Sequence, residues 1–323
     1  MKRKIFAAAL LWLGVACQGW CANRVDEIRN VLLDPENDKV LVVAHRGFWR
    51  CDAPENSLAA IDSAITAGID MVELDVWLTR DSVPVLLHDG TLERTTDGKG
   101  HVGELTLEQV RRVHLKDKHG KVTQYTVPTL EEALLKAKGR IMVNLDKAYG
   151  IFDLIYPVIK RTGTADLVLM KGVQSAADVR RDFGRYIDDI LYMPVVGIDP
   201  AEAPETVAAL LEELGSPAFE LCIKGENLEN PLTIRKLLAG KSKIWYNTLW
   251  PSLNAGNDDA AARADGGASY DFLIDNWGAR IIQTDDPVLL LNHLRSRGLH
   301  DCSFSNSKKR PTDSFSRAFF IIA

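Results

Sequence analysis

Short apolar runs rich in Val, Ile and Leu recur along this chain, and their alternation with helical sequence restricts the fold more than any other feature. They fall at Val40–Ala44, Met71–Leu78, Arg140–Leu145, Leu167–Met170, Ile190–Met193, Phe219–Ile223, Lys243–Thr248 and Ala279–Gln283. An unbroken apolar run of this length suits a strand buried on both faces, as when a parallel sheet is covered by helices. Between the runs, Ser57–Ala67 places Leu58, Ile61 and Ile65 at helical spacing, with Asn56 or Ser57 as cap and Gly68 as stop. Thr129 and Glu132 form a capping-box pattern, and Thr206–Leu214 and Leu232–Ala239 are further helices. Residues 23–38 predict a helix across the barrel entrance. Eight such units in 323 residues, 46% of them hydrophobic, predict one (β/α)8 TIM barrel, an α/β fold, over an open doubly wound sheet.

One run breaks the alternation. Val83–Leu87 follows Met71–Leu78 after only Arg80-Asp81-Ser82, too short for a parallel crossover, so it returns as a hairpin. With Asp81 and Ser82 as the turn, Asp75 would pair opposite His88. The next stretch, about 90–127, is rich in Gly, Lys, Thr and His, with a helical piece at Thr106–Val113, and reads as a small insertion.

Polar clusters follow the first strands: His45-Arg46-Gly47, Pro54-Glu55-Asn56-Ser57, Glu73-x-Asp75, Thr79-x-Asp81, His88-Asp89 and Arg94-Thr95-Thr96-Asp97-Gly98. Parallel α/β folds build their sites at these strand ends. Glu73 and Asp75, two apart on a strand, share one face, and in a barrel that face is the interior. Unpaired acids are costly there. A hard divalent cation, Ca2+ or Mg2+, resolves the cost with oxygen ligands alone; a salt bridge to Arg or Lys is the other resolution. Imidazoles at 45 and 88 suit proton transfer near neutral pH, and the Arg46 fork suits a phosphate.

Taken in order, these elements resemble the glycerophosphodiester phosphodiesterase family, of the phospholipase-C-like TIM-barrel superfamily. The likeness runs over roughly residues 38–295, with a looser match at Thr284-Asp285-x-Pro287. It implies metal-dependent hydrolysis of glycerophosphodiesters to sn-glycerol 3-phosphate and an alcohol. His45 and His88 would be the acid and base, Arg46 a phosphate ligand, and Glu73, Asp75 and Asp146 the ligands of one divalent cation. Glu55, Asn56 and Asp89 would support them, Asp89 by orienting His88 and Asn56 by capping the helix or fixing the loop. The family reads Asn-x-Glu-x-Lys on the next strand; here Asn144-Leu145-Asp146-Lys147-Ala148 shortens the acid and moves the lysine one place, to a position that should face away. Lys171, at the end of the following strand, is the candidate replacement for phosphate binding. The family's substrate-facing Trp matches Trp245 best, with Trp250 a second rim aromatic.

Residues 1–22 carry Lys2, Arg3 and Lys4 before an apolar run too short to span a bilayer, a signal-peptide pattern that predicts an exported protein, periplasmic, secreted or surface-anchored. Cys17 leaves a lipid anchor open. The catalytic domain is read as 23–299, with 300–323 a poorly ordered tail. The net charge of −5 argues against a nucleic-acid surface. The five cysteines show neither a Cys-x-x-Cys pair nor a disulfide framework. Two rivals stand beside the leading reading: a related enzyme acting on lysophospholipid or polymeric glycerol phosphate, and a non-catalytic barrel that binds phosphorylated ligands.

Overall fold

The computed structural model describes residues 23–300. Eight parallel strands close on themselves: β1 Leu41–Ala44, β2 Met71–Leu78, β3 Met142–Asp146, β4 Val168–Gly172, β5 Leu191–Gly197, β6 Ala218–Cys222, β7 Lys243–Asn247 and β8 Ala279–Thr284. Each pairs with its neighbour in sequence, and β1 closes the ring by pairing with both β2 and β8. The apolar runs are explained by this closure. All four residues of β1 are buried, since one face meets the barrel interior and the other the surrounding helices.

The helices follow local rules. Leu58–Ala67 starts where the Ser57 hydroxyl accepts from the Ala60 N–H and ends at Gly68 in the left-handed region. Ser57, not Asn56, is therefore the cap. Thr129 and Glu132 cap Leu130–Ala137 reciprocally. The helix Arg24–Leu33 buries Val25, Ile28 and Leu32. Its Arg24 and Arg29 donate to the carbonyls of Arg140 and Asp166, both just before strands. It thus packs at the N-terminal ends of the strands, away from the barrel mouth where sequence had set it. His300, assigned above to the tail, is buried and within 2.9 Å of Asp70 Oδ2, so the ordered unit runs past 299. The signal-peptide reading, Cys17 and the tail from 301 lie outside the described residues.

The hairpin forms with a different register. Trp77 pairs with Val85 and Leu78 with Pro84, so the turn is Arg80-Asp81-Ser82, three residues with Ser82 at φ +60°. The extra residue slips the pairing by one, and Leu87, not His88, faces Asp75, donating to its carbonyl at 3.2 Å. The returning strand ends at Leu86, and His88 lies beyond it.

Residues 90–127 build a small lobe with an antiparallel pair, His114–Lys116 and Val122–Thr126. It has its own apolar cluster, formed by Leu92, Val102, Val110, Leu115 and Val127 with Val85 and Leu87, apart from the barrel core.

Candidate active site

Where β1 ends, the chain turns through Arg46 and Gly47 at φ +57° and +79°. A side chain at 47 would put its Cβ 2.8 Å from that of Ala60, so only glycine fits this close approach. The turn aims the Arg46 N–H at Glu73 Oε2, 3.0 Å away. His45 is fixed at both nitrogens. Its Nδ1 lies 3.0 Å from Asp285 Oδ1, and Arg46 Nε donates to its Nε2 at 3.2 Å. These contacts select the tautomer with the proton on Nδ1. Burial pushes the Asp285 carboxyl up, but His45 and Arg50 outweigh it and hold the group below the usual carboxylate range. Trp250 stands edge-on to His45, its centroid 6.1 Å away, and is 45% exposed at the rim.

Glu73, Asp75 and Asp146 converge in the mouth, with one oxygen from each inside a 4.8 Å group. The β2–β3 register sets this directly, since Asp75 is the partner of Asp146. Asn56, at φ +52°, holds Asp75 from both sides. Its amide donates to Asp75 Oδ2 at 2.9 Å, and its oxygen accepts from the Asp75 N–H at 3.0 Å. Burial, and then the charge of Asp75, push the Glu73 carboxyl well above its usual range, against the pull of Lys171. Three crowded hard-oxygen donors, one of them resisting ionisation, fit a divalent cation.

Both lysines lie in the site. Lys147 was expected to face away, on the premise that strand alternation continues. The strand stops at Asp146, and Lys147 takes φ +58°, which swings its Nζ to 2.7 Å from Asp75 Oδ1 and 2.6 Å from the His88 carbonyl. Lys171 is 8% exposed, with Nζ 3.0 Å from Asp146 Oδ2 and 3.5 Å from Glu220 Oε2. Burial alone would lower its ammonium. Glu220, Asp146 and Glu73 more than reverse this, so the group stays charged. With Asp146, Lys147, Tyr149 and Glu220 it lines a cleft of about 360 Å³.

The second imidazole follows the returning strand of the hairpin, just before the lobe. His88 Nδ1 is 2.6 Å from Asp89 Oδ1, and Asp89 is also gripped by Arg94. That grip, against some burial, holds the Asp89 carboxyl far below its usual range. Arg94 reaches on to Glu55, which also takes Arg46 NH1 at 3.0 Å, so one ionic chain joins the two halves.

Trp245 is corrected. It points into the barrel at 0% exposure, donating to Asn247 Oδ1, whose amide donates to Glu220 Oε1. It floors the site and cannot line its rim. Sequence reasoning missed Asp285 as the partner of His45, Arg94 as the link to Glu55, and Glu220 as the partner of Lys171. Asp285 and Arg94 stood in the quoted motifs; Glu220 inside an apolar run was an unread signal.

Residues 45–154 match the model of the glycerophosphoryl diester phosphodiesterase family. Over that third of its length the chain is similar to the family. Members similar to it include mouse glycerophosphodiester phosphodiesterase 1, 48% identical over 100 residues, or 30% of each chain. The enzyme from Caldanaerobacter subterraneus is 40% identical over 124 residues, 38% of this chain and 50% of its own. The chain thus spans about a third to a half of these relatives' length. A glycerophosphoryl diester phosphodiesterase structure from Parabacteroides distasonis superposes with a TM-score of 0.70 at 27% identity, over 84% of this chain and 92% of its own. A phosphodiesterase from Oleispira antarctica, solved with sn-glycerol-3-phosphate, shares the barrel (TM-score 0.61, 23% identity, 81% of this chain and 99% of its own). Residues 192–294 match a domain of unknown function. Among the described residues, no helix is long and apolar enough to cross a membrane.

Proposed function

We propose that the protein hydrolyses glycerophosphodiesters to sn-glycerol 3-phosphate and an alcohol, with a divalent cation held by Glu73, Asp75 and Asp146. The observation that carries this reading is the pair of imidazoles at one mouth, each with Nδ1 on a carboxylate, Asp285 or Asp89. Binding a phosphorylated ligand needs no such pair, whereas cleaving a diester needs one proton taken and one given. His45 and His88 divide these transfers. The Arg46 guanidinium binds the phosphoryl oxygens, Lys147 and Lys171 add positive charge beside them, and Trp250 flanks the opening. When bound, the cation would polarise a phosphoryl oxygen and offset repulsion between the carboxylates and an anionic substrate. The product named for the Oleispira relative agrees with this reading. Export by residues 1–22 belongs to the same proposal and is tested by sequencing the N-terminus of the mature chain.

The test is release of glycerol 3-phosphate from a panel of glycerophosphodiesters with Ca2+, with Mg2+ and with chelator. Release should need a cation, and His88→Ala should lose at least a hundred-fold, on the order of a general acid or base. No release from any diester, by folded protein that still binds inorganic phosphate, would move the function to ligand binding.

A further inference from the structure

Asp259 lies on none of the family motifs and belongs to the segment matched only by a domain of unknown function. It is 4% exposed, yet among the described residues its carboxylate meets no cation. It accepts instead from neutral donors. Oδ1 takes the hydroxyls of Thr248 at 2.6 Å, Thr284 at 2.7 Å and Tyr270 at 2.9 Å. Oδ2 takes the backbone N–H of Asp285 at 2.8 Å. Burial raises this carboxyl, and the donors only partly bring it back. Keeping a carboxylate in such a place costs free energy, and an apolar residue would avoid that cost.

Its partners show what is gained. Thr248 follows β7, Thr284 ends β8, and Asp285 is the next residue, whose side chain holds His45 Nδ1. The Asp259 N–H donates in turn to the Thr248 carbonyl at 2.7 Å. Asp259 therefore ties two adjacent strand ends together at the residue from which the Asp285 side chain departs. Arg50 takes the other Asp285 oxygen at 3.1 Å, but Arg50 is a third exposed and can fix the side chain only, not the backbone that carries it.

We propose that Asp259 is a positioning residue that acts through Asp285 to keep His45 in its Nδ1–H tautomer, with the Nε2 lone pair on the Arg46 side of the ring. The chemistry explains the residue type. An amide at 259 can still accept the Asp285 N–H, but its NH2 then faces three hydroxyls that all donate to one oxygen, and that cluster must rearrange. A displacement of a few tenths of an ångström at Asp285 lengthens its bond to His45, and misplacement of a catalytic group lowers the chemical step more than binding.

This inference rests on the hydrolytic reading, so the experiment has one arm that needs no turnover. In protein with ¹⁵N-labelled histidine, the imidazole resonances of His45 report its tautomer. Asp259→Asn should raise the Nε2–H form, as Asp285→Asn should do more strongly. In the kinetic arm, Asp259→Asn should lower kcat on the order of ten-fold with KM within about two-fold. Thr284→Val, which keeps the shape but removes one donor to Asp259 and the acceptor of the Asp286 N–H, should show the same pattern. Wild-type His45 resonances in folded Asp259→Asn would overturn the proposal, as would a loss of stability with kcat unchanged in the folded fraction. If the wild-type protein hydrolyses no diester, the hydrolytic reading fails while the resonance arm still decides the role of Asp259.

Discussion

Lys171→Met separates a phosphate-binding lysine from a structural one. The Lys171 ammonium bridges Asp146, whose side chain is 41% exposed, and Glu220, which is 5% exposed. Without the lysine, water can reach Asp146, but Glu220 Oε2 has no hydrogen bond to fall back on. Breaking a buried pair from one side costs about 3 kcal/mol or more. At about 2 °C per kcal/mol for a domain of this size, the midpoint of thermal unfolding should fall by roughly 6 °C. Lys171→Met with Glu220→Gln removes the stranded charge and keeps an acceptor for Asn247, so most of the loss should return. The restored protein is the one to assay for catalysis. A charge-assisted hydrogen bond to phosphate contributes about 1.5–3 kcal/mol, so losing it should raise KM for a diester roughly ten- to a hundred-fold. An unchanged KM in the stable double variant would refute phosphate binding by Lys171. A single variant that melts like wild type would refute the argument from burial.

Two further outcomes follow from the same geometry. Ca2+ or Mg2+ should raise the unfolding midpoint of the wild-type protein over chelator, and Asp146→Ala should abolish most of that rise, read by thermal shift without any turnover. At the opposite end of the barrel, Lys243 is 1% exposed, and burial, with Arg280 adding like charge, brings its ammonium down to about 8 from 10.5. The unfolded chain then binds more protons between those values, so stability rises with pH across that window and the charged form costs about 3 kcal/mol below it. Lys243→Met should flatten the rise in urea unfolding measured from pH 7 to 10.5. It should also stabilise the protein at pH 7 by about 2 kcal/mol, after losing the bond to the Asn37 carbonyl.

The barrel was legible because a strand buried on both faces leaves an unbroken apolar run, and runs such as Val40–Ala44 admit few other uses. Asp75 and Asp146 were legible for the same reason, since neighbouring strands in register bring their ends together. Reading failed where the chain leaves regular structure. Lys147 was assigned by alternation one residue past the point where alternation stops, and a left-handed backbone at that residue reverses its direction. The hairpin slipped because two- and three-residue turns look alike until Ser82 takes a positive φ. Trp245 was taken for a rim residue by analogy, although its place inside an apolar run already argued for burial. The pairing of His45 with Asp285 spans 240 residues, and no local pattern records so distant a contact.

The small lobe has a core of its own, and His88, at its root, is held by the hairpin backbone and Trp77 and also by charge: Asp89 on Arg94, Arg94 on Glu55, and Lys147 on Asp75 and on the His88 carbonyl. Apolar packing resists salt, whereas partly exposed ion pairs weaken in it. Ionic strength therefore acts on the side-chain ties that orient His88 and hardly at all on the barrel and hairpin that carry the two imidazoles. A folded molecule and an assembled catalyst are, in this protein, separately adjustable quantities.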